Sequence, residues 1–269
     1  MTEMDEMEGE PQMSERTIAG MPQQKAIGIA IILVVIIGIG YMLMTGTIEL
    51  ENKKTKILLI GSSSQEVIDI LNENRETVEY DMKTVEALEN NAKEQIKPYN
   101  IIILDQSEQA KKEITKNIGD SIFEFVKEGG NLIVVKDSGI RRPDTADIIG
   151  WKNTFGDLVP VNCDRMVNNN PTCTERILLR GKLYTENSKH PIMNGVDFYP
   201  VEAELFASFE TFDIDVTGTQ IAYLKSSGQD GKSYPAIAEK KTLLGKVVYF
   251  NYNPGKTRGI LENTIDYLK

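Results

Sequence analysis

The sequence holds one histidine, one tryptophan and two cysteines in 269 residues, and no basic stripe. These scarcities exclude several classes of function. His190 with Cys163 and Cys173 would give at most three nitrogen or sulfur ligands, short of a structural zinc set, so no metal is expected. A nucleophilic serine would have only His190 as base, and no G-x-S-x-G surrounds Ser138. The turn Gly61-Ser-Ser-Ser64 carries neither the Walker lysine pattern nor G-x-G-x-x-G, so no cofactor is expected. It reads as a turn and helix N-cap, with an anion at the helix N-terminus as the alternative. A net charge of −10 argues against nucleic acid as partner.

What the chain does have is a long apolar run, residues 26–44 (AIGIAIILVVIIGIGYMLM), with no charge and no proline. Nineteen helical residues span about 28 Å, close to the roughly 30 Å of bilayer hydrocarbon. A transmembrane helix is therefore expected over 26–46, anchoring the chain in the lipid bilayer of the cell membrane. A cleaved signal fits poorly, because the leader is long and acidic and no small-x-small site follows. The expected organisation is an acidic disordered tail over 1–25, the span over 26–46, a linker over 47–55 and one α/β domain over 56–269.

Orientation is contested within the sequence. Arg16 and Lys25 precede the run, while Lys53, Lys54 and Lys56 follow it, so the positive-inside count favours a cytoplasmic body by one residue. Against this stand Cys163 and Cys173 in the loop NCDRMVNNNPTC. They would close a disulfide, which persists outside the cytoplasm; two unrelated thiols are the alternative. The soluble domain is expected to be extracytoplasmic.

From residue 56 the pattern alternates. Strands are expected at 56–60, 77–80, 101–104 and 132–135, with helices at 64–72, 84–97 and 107–128 between them. Pro98 stops the second helix and Gly129-Gly130 the third. This order predicts a doubly wound parallel sheet with a ligand crevice at the carboxyl ends of its strands. Ser62, Asp105, Lys136, Asp137 and Ser138 fall at those ends, with His190 and Asn253 as further candidates. A simple Lys–Asp ion pair is the blander reading of Asp105, Lys136 and Asp137. Later strands are expected at 177–179, 221–224, 236–239 and 247–251, and a final helix at 257–268.

Three segments carry a resemblance. Phe125-Val-Lys-Glu-Gly-Gly-Asn-Leu-Ile-Val-Val-Lys-Asp137, Lys189-His-Pro-Ile-Met-Asn-Gly-Val196 and Gly245-Lys-Val-Val-Tyr-Phe-Asn-Tyr-Asn-Pro-Gly255 resemble, in that order, the class I glutamine amidotransferase-like superfamily. The likeness is to its trehalose-utilisation-like and gliding-motility-like branches. It implies a flavodoxin-like fold over most of 56–255. It also implies where a Cys–His–acid triad would stand, and Lys136, Asn253 and Gly255 occupy those positions. With nucleophile, base and orienting acid all absent, the resemblance implies a catalytically silent domain.

The function expected from these readings is a membrane-anchored, non-catalytic binding or scaffold domain. It would be an accessory subunit of an envelope or transporter complex, meeting a membrane protein or a carbohydrate. One alternative is a carbohydrate-active enzyme of the trehalose-utilisation-like type, using Asp105, Asp137 and His190. Another is a pilin-like filament subunit. Lys25-Ala-Ile-Gly-Ile-Ala-Ile-Ile-Leu after an acidic leader is similar to a processed pilin start, although Ala30 stands where those subunits carry glutamate.

Overall fold

The computed structural model describes residues 17–18, 21–22, 29, 31–37, 53–145, 148–228 and 231–269. They belong to two units, 1–52 and 53–269. In the first, Thr17–Ile18 pairs antiparallel with Met21–Pro22, and residues 29 and 31–37 are helical with exposed aliphatic side chains. The expected membrane helix is corrected here. Among the described residues no helix is long and apolar enough to cross a membrane. The rest of 26–46 and most of the acidic tail lie outside the described residues.

The second unit is built on one ten-stranded sheet. Its strands are β1 (Thr55–Gly61), β2 (Val78–Lys83), β3 (Ile101–Asp105), β4 (Asn131–Val135), β5 (Arg176–Thr185), β6 (Phe198–Tyr199), β7 (Ala207–Phe212), β8 (Thr219–Ser226), β9 (Ser233–Lys241) and β10 (Lys246–Phe250). Their order is β6-β5-β8-β9-β10-β4-β3-β1-β2, with β7 paired to β5. The helices are α1 (Gln65–Glu73), α2 (Val85–Leu88), α3 (Ala92–Ile96), α4 (Lys116–Lys127), α5 (Lys152–Phe155) and α6 (Arg258–Leu268).

A doubly wound parallel sheet of flavodoxin-like type therefore describes only half of this domain. β10, β4, β3, β1 and β2 run parallel, whereas β5 to β9 and the β9–β10 pair are antiparallel. The reason lies in the connections. The first four strands are separated by helical segments that can cross over, while β8, β9 and β10 follow one another through turns that only antiparallel neighbours can use.

Period-two alternation in the parallel strands feeds two separate cores. Leu58, Ile60, Leu104 and Val134 face one side and pack with Ile118, Ile122 and Val126 of α4. Ile57, Leu59, Ile103 and Val135 face the other, against Val67 and Leu71 of α1 and Ile260, Leu261 and Ile265 of α6. Each inner strand is thus buried on both faces, which explains its continuous apolar sequence.

Local structure departs from the sequence expectations at two helices. The single helix expected over 84–97 is two, because Asn91 takes a left-handed backbone (φ 59°) between α2 and α3. The helix expected from residue 107 begins only at Lys116. The segment before it folds over Gln106, whose side-chain amide donates to the carbonyls of Lys111 (3.3 Å) and Glu113 (3.4 Å). The disulfide between Cys163 and Cys173 is present, with Cα atoms 5.4 Å apart. Both cysteines are buried in the α4-side core despite their polar sequence neighbours. Arg165 fastens the loop between them to Asp213 (2.8 Å) and Asp215 (2.6 Å).

Candidate functional site

The strand-end cluster begins where β1 and β3 end side by side, with Gly61 opposite Asp105. Gly61 has φ +109°, and a Cβ there would lie 2.3 Å from the Asp105 carbonyl oxygen; only glycine permits that approach. The Asp105 side chain is buried. Its Oδ1 accepts from the Ser107 amide (2.9 Å). Its Oδ2 has no hydrogen-bond partner, and neither has the buried hydroxyl of Ser63 or of Ser107. Burial pushes the Asp105 carboxyl up from its ordinary pKa, opposed by the nearby Ser107 and Ser63 hydroxyls and the charge of Lys136.

Lys136 follows β4 directly. Its amide donates to the Phe250 carbonyl (2.7 Å), and its backbone is left-handed (φ 51°), which costs a non-glycine residue about 1–2 kcal/mol. Its ammonium, itself buried, contacts Glu210 Oε1 at 2.7 Å. The other Glu210 oxygen meets Arg176 at 3.2 Å. Lys136 therefore contacts one carboxylate, Glu210, which is held by two cations, and its charge also acts on the buried Asp105 carboxyl.

The remaining expected residues separate into three groups. Asp137 is part-exposed at the mouth and faces Lys112 at 3.6 Å. Ser62 is also part-exposed, its carbonyl accepting from the Glu108 amide (3.2 Å). Ser138 is structural, its hydroxyl accepting from the Gln106 amide (2.8 Å) and its carbonyl from Trp151 Nε1 (3.0 Å). Asn253 accepts from the Ser64 hydroxyl (3.0 Å) and the Gly255 amide (2.9 Å), tying the loop after β10 to the start of α1. There the Glu66 carboxyl is held low by a bond from its own backbone amide, aided by Ser64.

His190 lies elsewhere. It faces Glu239 of β9, which is paired with Val248 in the middle of β10, and it packs against Tyr267 of α6. Its Nδ1 accepts from the Ile192 amide (3.3 Å), which leaves the proton on Nε2 to donate toward Glu239 Oε2 (3.2 Å). Tyr267 donates to the other Glu239 oxygen (2.6 Å). With both ring nitrogens committed, His190 is no base for the crevice. Glu210, Arg176 and Lys112 are the residues sequence reasoning missed. Glu210 sits on β7, a strand that went unrecognised, and carries no local signal. Among the described residues no group of three or more His, Cys, Asp or Glu side chains could hold a metal ion.

Comparison with known proteins gives no matching family model and no matching curated protein. Solved structures share the fold. A β-galactosidase from Bacillus circulans sp. alkalophilus is similar at TM-score 0.50 and 14% identity, over 80% of this chain and 30% of that one. A cold-adapted β-galactosidase from Rahnella sp. R3 gives 0.50 and 12%, over 80% and 31%. The chain thus spans about a third of the length of these neighbours. A candidate GMP synthase component from Thermoplasma acidophilum is similar at 0.42 and 11%, over 80% and 94%, too distant to bear on family.

Two expectations are corrected by these findings. The resemblance to the class I glutamine amidotransferase-like superfamily is not supported by any family model, and the fold is shared with β-galactosidases. The expectation of a catalytically silent, non-enzymatic domain falls with it. That expectation depended on reading Lys136, Asn253 and Gly255 as displaced triad positions, and the structure gives Lys136 and Asn253 different partners.

Proposed function

We propose that this domain acts on a carbohydrate in the crevice at the carboxyl ends of its parallel strands. The observation that carries the reading is Asp105. It is a buried carboxyl, pushed toward its neutral form by desolvation, with the Ser63 and Ser107 hydroxyls beside it. Lys136, whose charge acts on Asp105, contacts Glu210, which Arg176 also pairs. Glycoside chemistry needs one carboxylic acid that keeps its proton and one carboxylate that stays ionised, and environments that push the two apart set their roles. Asp105 would hold the proton behind the strand ends, and Glu210 or the part-exposed Asp137 would supply the negative charge. His190, part of the sequence-based set, has no role in it. The names of the β-galactosidases that share the fold point to the same substrate class.

The Cys163–Cys173 disulfide favours an oxidising compartment outside the cytoplasm for this domain. Incubating the full chain with a panel of nitrophenyl glycosides, β-galactoside included, tests the reading. Release of nitrophenol that disappears in Asp105→Asn supports it. Release that is absent, or unchanged in Asp105→Asn, contradicts it.

A further inference from the structure

The antiparallel half of the sheet carries a second feature that the crevice does not use. Leu183 of β5 and Leu224 of β8 are paired and buried in the α1–α6 core. Their neighbours Tyr184 and Tyr223 are also paired and point to the opposite face, where both are half-buried. Their rings stack with centroids 5.6 Å apart and planes 20° from parallel. Phe198 of β6 extends the row, 6.3 Å from Tyr184. Tyr223 also lines an open groove of about 360 Å³ with Glu186, Gln220, Lys225 and Ser233.

These polar side chains and the hydroxyls of Tyr184 and Tyr223 make no hydrogen bond or ion pair among the described residues. The surface therefore combines flat aromatic area with a rim of uncommitted donors and acceptors of both kinds. A pyranose ring has that chemistry, with an apolar C–H face to lie on an aromatic ring and hydroxyls around its edge to meet amide, carboxylate, ammonium and hydroxyl groups. A neutral ligand also fits a rim holding one carboxylate and one ammonium. We infer that the Tyr184–Tyr223 face is a sugar-binding platform, a second carbohydrate subsite remote in sequence from the Asp105 crevice.

This inference rests on the carbohydrate reading, and its test separates the two. The full chain, in a detergent that carries no sugar, is run on native gels containing β-linked galactan, mannan or glucan. Retardation by at least one of them is expected. Tyr223→Ala and Tyr184→Ala should weaken it by about tenfold, the scale of losing one aromatic contact. Tyr223→Trp should keep it, and unchanged thermal midpoints would show that the fold survives. Asp105→Asn should retain the retardation that the platform supplies. If wild type is retarded and the two alanine variants equally so, the platform is wrong while the carbohydrate reading stands. If wild type is retarded by none of the three, the platform is overturned, and glycoside turnover then judges the crevice by itself.

Discussion

Lys136 Nζ and Glu210 Oε1 stand 2.7 Å apart although 74 positions separate them in sequence. The ammonium is nearly sealed from solvent, and Glu210 is only a quarter exposed. Removing the carboxylate leaves a buried cation without its contact partner. Glu210→Ala is expected to destabilise the domain by about 2–3 kcal/mol, below the range for a fully buried pair. Urea denaturation measures it. Lys93→Ala breaks an ion pair whose side chains are more than half exposed, and should leave the midpoint in place.

Asp105 makes an opposite prediction. Its pKa in the folded chain is raised by burial, so between the unfolded and folded values the folded state binds more protons. Its contribution is therefore lost as pH rises through that window and stays lost above it. Asp105→Asn removes the cost of charging. The variant should be at least as stable as wild type at neutral pH, with the difference shrinking below about pH 4, where both carboxyl states are protonated. Thermal midpoints across pH check the sign.

Asn251 joins three strands from a fully buried position. Its side-chain amide donates to the Phe212 and Pro235 carbonyls, both at 2.8 Å, while its oxygen accepts from the Phe212 amide (3.3 Å) and the Tyr249 hydroxyl (3.2 Å). Asn251→Ala should cost about 3 kcal/mol or more, because it strands several buried polar groups at once. A smaller loss would mean that water refills the site.

The disulfide predicts a further loss. Cys163 and Cys173 are ten positions apart, and a loop of that size corresponds to about 2–3 kcal/mol on the chain-entropy account. Replacing both by alanine should lower stability by that amount. In the native chain, alkylation should label no cysteine before reduction and two after it.

The parallel half of the sheet was legible because its chemistry is local. The runs at 57–60, 101–104 and 132–135 are apolar throughout, and Gly61, Pro98 and Gly129-Gly130 mark their boundaries. Asp105, Lys136 and Asp137 could be placed at strand ends on that basis alone. The antiparallel half was not legible in the same way. β7 reads Ala-Ser-Phe-Glu-Thr-Phe, with no flanking glycine or proline to mark it, and Glu210 reaches Lys136 only through tertiary pairing. His190 shows the converse relation between sequence and structure. A sole histidine is a natural candidate for chemistry, yet its role as the cap of the turn at Pro191–Met193 is a local one. Asn91 splits a helix that periodicity joins, because one left-handed residue leaves the apolar spacing intact.

The most direct test of the central claim is the pH dependence of glycoside turnover by the full chain, compared with Asp105→Asn. Asp105 as proton donor predicts a rate that is flat at low pH and falls as pH rises through its elevated pKa, and Asp105→Asn should abolish turnover across the range. Turnover that persists in Asp105→Asn with the same pH profile, or no turnover by wild type on any glycoside at any pH, would contradict it.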